Sequence, residues 1–296
     1  MTNFDSVWHV WLQDNIQRGC TPESMLVAME GAGIDPSVAK AQLTQALTQN
    51  SQASHAYPAQ GFTVPLGPDH EPSSNSDYEY DAVPVASSHR IDLGDRTVTV
   101  AMRCEKPQVI VFNNVLSFDE CDQLIERSRD KMKRSTTVNP VTGEHDVIDR
   151  RTSDGTYFDR CEDEFITRID VRVSKLMGWP VTHGEGLQIL HYNLGGEYKP
   201  HFDYFPPNEA GSTKHMSVGG QRVSTMVVYL NDVETGGETI FPHAGLSVSP
   251  QKGSAVYFRY CNAKGQIDPM SLHGGAPVLA GEKWVMTKWM RQKNYG

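Results

Sequence analysis

Apolar residues near the start of the chain recur at helical spacing: Val7, Trp8, Val10, Trp11 and Ile16, then Met25, Leu26, Ala28 and Met29. Pro22 suits the first turn of the second segment and Glu23 its positive dipole end. The run GAGIDPS breaks the pattern, and Val38 to Leu47 predicts a third helix. Residues 1–50 therefore read as a small helical bundle. Over 51–90 the periodicity vanishes into Ser, Pro, Gly, Asn and acidic residues, which cannot bury enough apolar surface to fold alone. This stretch reads as a linker whose aromatic residues Tyr57, Phe62, Tyr78 and Tyr80 are suited to lie along a neighbouring surface.

From residue 95 the texture becomes β-like in RTVTVAM and QVIVFNN. SFDECDQLIERSRDKM follows, with a Ser cap and Cys121, Leu124 and Ile125 on one helical face. A further helix is predicted from Glu162 to Met177, its stripe formed by Phe165, Ile166, Ile169, Val173 and Leu176. Beyond residue 185 come short apolar runs separated by turn signals: GLQILHYN, YKPHFDYF, VSTMVVYLND, GETIFP, LSVSP, SAVYFRY, SLHGGAPV and EKWVMTKWM. Such a succession predicts a double-sheet jelly roll. The expected class is α+β, a double-stranded β-helix core braced by helices over 91–296, preceded by the helical bundle.

At 296 residues the chain accommodates one large or two unequal units. A formal charge of −9 argues against a nucleic-acid binder that works through a basic surface, although Lys131, Lys133, Arg134, Arg150 and Arg151 form a local basic group. Five scattered cysteines contain no CxxC pair and read as reduced structural thiols. The first residues lack a signal-like pattern, and no run approaches about 18 uninterrupted apolar residues, so a cytoplasmic protein without a membrane span is expected.

Candidate chemistry concentrates near the C-terminal end. In an extended strand residues two apart share a face, so His201 and Asp203 of KPHFDYF can offer an imidazole and a carboxylate to one ion, with His273 of SLHGGAP as a third ligand. Two histidines and one carboxylate leave open positions and suit a non-haem Fe(II) oxygenase. Lys283, ten residues beyond His273 in a strand-like run, needs a counter-charge if buried, and a small carboxylate ligand such as 2-oxoglutarate supplies one. Taken alone, any of these histidines is more often a surface or hydrogen-bonded core residue, and Lys283 a snorkelling strand lysine. His183, His191, His215 and His243 have no comparable spacing, and His191 alternates to the face opposite Tyr192.

The segments LQILHYNLGGEYKPHFDYF, GGQRVSTMVVYLNDVETGGETIFP, PQKGSAVYF and SLHGGAPVLAGEKWVMTKWM resemble the collagen-type prolyl 4-hydroxylases, which are Fe(II)/2-oxoglutarate-dependent dioxygenases. With the looser RTSDGTYF, the resemblance spans roughly residues 95–292. It implies His201, Asp203 and His273 as iron ligands, Lys283 as partner of the distal carboxylate of 2-oxoglutarate, and Tyr192 and Thr225 as further cosubstrate contacts. It places Tyr198, Arg151, Ser153 and Trp289 on the substrate side, and Arg291 where several members carry a histidine. The implied cofactors are Fe(II), 2-oxoglutarate and O2, with ascorbate as reductant. The implied substrate is a prolyl residue of a peptide or protein, with a free amino acid or peptide-derived small molecule as the alternative. A reading of another class makes the barrel a catalytically silent binding module, with the N-terminal bundle recruiting a partner; the intact triad and Lys283 count against it.

Overall fold

The computed structural model describes residues 6–17, 21–55, 78–138, 142, 144–146, 150–207 and 209–296. The chain divides into two units, 1–65 and 66–296. In the first, α1 (Ser6–Gln17), α2 (Pro22–Gly31) and α3 (Pro36–His55) supply a small apolar cluster of Leu12, Met25, Met29, Ile34, Ala39, Leu43 and Ala46. Thr21 caps α2 by accepting the Ser24 amide at 3.3 Å, with Pro22 at the first position. Of the expected linker, residues 51–55 continue α3, and 56–77 lie outside the described residues. Its end, from Tyr78, is part of the second unit. There Asp81 accepts Arg259 Nη2 at 3.0 Å and the Ala263 amide at 2.9 Å, a counter-charge that the buried Arg259 requires.

The second unit is built on a nine-stranded antiparallel sheet. Its spatial order is β1 (Arg90–Asp92), β2 (Thr97–Cys104), β3 (Gln108–Asn113), β14 (Ala255–Arg259), β10 (Arg222–Tyr229), β17 (Lys283–Arg291), β8 (Leu187–Tyr192), β7 (Asp154–Phe158) and β4 (Lys133–Arg134). A four-stranded antiparallel sheet has the order β13 (Leu246–Val248), β12 (Thr239–Phe241), β15 (His273–Gly275) and β9 (Tyr198–His201). Two short pairs complete the strands: β5 (Thr137–Val138) with β6 (His145–Asp146), and β11 (Thr235–Gly236) with β16 (Val278–Ala280). Every residue of β17 is buried, as expected of a central strand covered on both faces.

Two helices brace the large sheet. α4 (Phe118–Ser128) begins with a capping box in which Ser117 and Glu120 satisfy each other's backbone amides. α5 (Glu164–Met177) is capped by Asp163 and stopped by Gly178 in the left-handed region (φ 70°). An added Cβ on Gly178 would lie 2.3 Å from the Pro84 carbonyl oxygen, so no other residue fits there without a shift. Both helices bury the stripes read from their periodicity, including Cys121, Leu124, Ile125, Ile166, Ile169, Val173 and Leu176. Arg172 of α5 grips Glu120 of α4 with two bonds of 2.7 Å, while Lys288 of β17 pairs with Asp170 of α5 where both are fully buried. α6 (Ala210–Met216) lies in the loop after β9.

Candidate active site

Pairing of β15 with β9 sets His273 directly across from His201, and Asp203 follows two residues later. Ligand-type atoms of all three lie within 4.8 Å of one another. His201 Nε2 stands 3.6 Å from Asp203 Oδ1, and His273 Nε2 stands 3.5 Å from Oδ2. Each Nδ1 contacts a backbone carbonyl, Lys199 O at 2.9 Å for His201 and Ser271 O at 3.0 Å for His273. A carbonyl only accepts, so each Nδ1 carries a proton, and this leaves each Nε2 on the side facing the carboxylate. Enclosure in the pocket wall and the adjacent His273 push the His201 pKa down to about 4. Burial raises the Asp203 pKa, but the facing His273 and His201 rings more than offset it and hold the carboxyl well below its usual range. Two imidazole nitrogens and a carboxylate converge on one point. This donor set fits a divalent transition metal.

The same residues form one wall of a cavity of about 530 Å³ that also contains Lys283, Tyr192, Tyr198, Arg151, Arg222, Thr239 and Trp289. Lys283 faces Tyr192 across the β17–β8 pair and is 4% exposed. Among the described residues no carboxylate is in ion-pair contact with it, and burial lowers its pKa to about 8, with Glu238 opposing. Leu190, Val227 and Val285 give the cavity apolar walls. A buried cation at an apolar cavity, facing the same space as a metal-ligand triad, fits a small anion bound beside the metal.

The structure sorts the remaining expected residues by what their polar atoms contact. Tyr198 stacks on His201 with ring centroids 3.5 Å apart, and the Arg151 guanidinium lies over the Tyr198 ring, 4.9 Å from its centroid. Arg151 is fixed by Thr136 O at 3.1 Å, Gln188 Oε1 at 3.2 Å and Ser153 Oγ at 3.2 Å. Ser153 is fully buried, donates to Ser135 Oγ at 3.0 Å and is not among the lining residues, so it supports Arg151 from behind. Thr225, expected at the cosubstrate, is fully buried beside Asp203. Its hydroxyl donates to Asp203 Oδ2 at 2.7 Å, because the register sets it opposite Trp289 rather than beside Lys283. Trp289 lines the cavity and also donates Nε1 to Asp203 Oδ2 at 3.0 Å. Arg291 is buried against Glu185 and the carbonyls of His215 and Val218, and it is absent from the cavity wall. His191 stacks on Trp284 and contacts Glu282, on the face opposite Tyr192.

Among the polar residues that sequence reasoning missed are Arg222 and Thr239, which line this cavity, and Glu185, which pairs with Arg222 behind it. Arg222 forms a two-bond ion pair with Glu185 at 2.7 and 2.8 Å and lies 4.0 Å from the Trp289 ring centroid. Glu185 directly precedes the predicted GLQILHYN run and Arg222 opens β10, so their meeting depends on the β8–β17–β10 order, which no local pattern encodes. Thr239 of β12 lines the cavity and accepts the Tyr229 hydroxyl at 2.7 Å.

Residues 187–291 match the family described as the 2OG-Fe(II) oxygenase superfamily. A protein of Arabidopsis thaliana named "Probable prolyl 4-hydroxylase 3" is 42% identical over 209 residues, covering 64% of this chain and 71% of that protein. The prolyl 4-hydroxylase subunit alpha-1 of Homo sapiens is 35% identical over 189 residues, 64% of this chain and 35% of that subunit. The solved 2OG complex of a viral collagen prolyl hydroxylase from Paramecium bursaria Chlorella virus-1 is 27% identical, covers 62% of this chain and 95% of that one, and has a TM-score of 0.49. The two-histidine, one-aspartate cluster fits the family's Fe(II), and its members use 2-oxoglutarate and O2 with it. This chain is an Fe(II)/2-oxoglutarate-dependent dioxygenase and belongs to the prolyl 4-hydroxylase family.

Proposed function

We propose that the chain hydroxylates prolyl residues of a peptide or protein, with His201, Asp203 and His273 as the iron ligands and Lys283 as the anchor of 2-oxoglutarate. The observation that carries the site assignment is the buried Lys283, without an ion-pair partner among the described residues, opening on the same cavity as the triad. Prolyl specificity is supported by the relatives, which are named prolyl 4-hydroxylases. When bound, ferrous iron with 2-oxoglutarate activates O2 and couples oxidative decarboxylation to hydroxylation of a C–H bond.

The protein supplies position, charge and exclusion of water. The backbone carbonyls of Lys199 and Ser271 hold the two imidazoles in the tautomer that directs Nε2 toward the metal. Lys283 neutralises the distal carboxylate, and the Tyr192 ring, 5.6 Å from Nζ, forms one wall of that end. Leu190, Val227 and Val285 keep water from competing for the charged partners. Tyr198 and Trp289 lie on the side left for substrate, their orientations set by Arg151 and Arg222. Ascorbate is assigned as the reductant that rescues oxidised iron. The two sheets are read as a jelly-roll core, and α1 to α3 as a module that binds a partner.

Mass spectrometry of proline-containing peptides and a free amino-acid panel, incubated with Fe(II), 2-oxoglutarate, ascorbate and O2, tests this reading. The expected result is one added oxygen on a prolyl peptide, absent in His201→Ala. Oxygen added only to a free amino acid would replace the peptide reading, and absence of both product and succinate would overturn the enzymatic one.

A further inference from the structure

Asp203 is held by more than the two histidines it faces. Its Oδ2 accepts Thr225 Oγ1–H and Trp289 Nε1–H, from residues that oppose each other across the β10–β17 pair. Thr225 is fully buried and has one hydroxyl proton, which is committed to the carboxylate. Tyr260 Oη lies 3.0 Å from the same threonine oxygen. With the threonine proton already spent, Tyr260 must be the donor. A directed relay therefore runs from Tyr260 O–H to Thr225, and from Thr225 O–H to Asp203. Tyr260 is itself fully buried, and no other hydrogen bond of its hydroxyl occurs among the described residues. Its ring is flanked by Tyr204 and Phe258, with centroids 6.2 and 6.0 Å away.

We propose that Tyr260 is a positioning residue of the metal site, acting solely through Thr225. This inference rests on the reading of His201, Asp203 and His273 as metal ligands. A threonine hydroxyl rotates, and a buried one turns to whichever acceptor is near. By filling the acceptor side of Thr225 Oγ1, Tyr260 fixes that rotation with the proton on Asp203. Each bond in such a chain polarises the next, so the donor reaching the carboxylate is stronger than an isolated hydroxyl. Donors gather on Oδ2, which fixes the plane of the carboxylate against His201 and His273. Outer partners of this kind orient ligands, and losing one lowers metal affinity by roughly 10–100-fold. The residue escapes a motif reading because it stands one position beyond β14, where alternation no longer predicts direction.

The test uses Co(II) in place of iron, with dissociation constants from competition against a chromogenic chelator and ligand-field absorption spectra, on the full chain. Tyr260→Phe keeps the ring and removes the hydroxyl; Thr225→Val keeps the shape and removes the other. Expected are an affinity loss of about tenfold and shifted bands in Tyr260→Phe, at least as large a loss in Thr225→Val, and a double variant no weaker than Thr225→Val alone. 2-Oxoglutarate affinity at saturating Co(II) stays unchanged. An unaltered affinity and spectrum in Tyr260→Phe, or additive losses in the double variant, overturn the inference. 3-Fluorotyrosine at position 260 preserves the fold and strengthens the phenol as a donor. It must move the bands opposite to Phe, and unmoved bands also overturn the relay. Wild-type protein that binds Co(II) no better than His201→Ala defeats the metal reading itself.

Discussion

Lys283 and Tyr192 face each other across the β17–β8 pair, with the ammonium 5.6 Å from the ring centroid. The lysine is buried, and its pKa is lowered to about 8 by that burial. If Lys283 is the anchor proposed above, a dianionic cosubstrate binds its protonated amine. Below about pH 8 the free protein already carries that proton, so 2-oxoglutarate affinity is flat; above it, affinity falls roughly tenfold per pH unit. Calorimetric titration across this range checks the sign, and a constant affinity to about pH 9.5 would exclude Lys283 as the anchor.

The same burial makes Lys283 a liability without ligand. Its amine loses protons more readily folded than unfolded, so this group lowers stability fully below its folded pKa, and the penalty fades as pH rises toward the unfolded value. Lys283→Met is expected to raise the stability of the ligand-free protein by about 3 kcal/mol near pH 7. It should also abolish 2-oxoglutarate binding while leaving Co(II) binding intact. Denaturant titration and calorimetry on one preparation read both effects; a destabilised variant contradicts the assignment.

Gly274 lies in β15 between the two residues that pair with β9. A Cβ there would sit 2.8 Å from Tyr198 O and 3.1 Å from Pro200 N, both backbone atoms that cannot rotate aside. Gly274→Ala should therefore displace the strand bearing His201 and weaken metal binding by tenfold or more, on the scale of losing an outer-shell contact. Circular dichroism of the large sheet should hardly change. Full metal affinity in this variant would show that β9 tolerates the shift.

Arg222 joins Glu185 to the Trp289 ring. Arg222→Met retains most of the stem but leaves Glu185 with Arg291 alone, at a loss of about 2–3 kcal/mol, smaller than for a fully orphaned buried charge. Trp289 loses its stacking partner and keeps its bond to Asp203. KM for a prolyl peptide should rise by about tenfold or more with 2-oxoglutarate affinity unchanged, a loss of a cation–π contact and of orientation. Equal loss of both affinities would point to general collapse of the cavity.

Metal removal is expected to lower the melting temperature, because the native protein alone presents the triad. At a metal concentration of 100 times Kd the difference amounts to about 2.7 kcal/mol. Thermal melts with and without a chelator check this, and His273→Ala should show no metal-dependent shift.

The sequence signalled what depends on local periodicity and strand alternation. The stripes of α4 and α5 were readable because their packing obeys a short repeat; strand alternation suggested the His201–Asp203 pair, yet β9 ends at His201 and Asp203 lies in the bend beyond it. Thr225 was legible as a polar strand residue but not in its partner. Whether its hydroxyl meets Asp203 or the cosubstrate depends on the register between β10 and β17, set by contacts more than sixty residues apart in the chain. Arg222, Glu185 and Tyr260 were invisible for the same reason. Their roles arise where strands distant in sequence become neighbours.

The two histidines ride on the four-stranded sheet, whereas Lys283, Tyr192 and the donors to Asp203 belong to the nine-stranded sheet or its margin. Under the proposed assignment Asp203 is thus the rivet between two plates, one carrying the metal and the other the grip on its cosubstrate. Slippage between the plates would spare each binding event and spoil their alignment. Damage far from the cavity should then surface first as wasted turnover, with succinate accumulating while the prolyl product does not.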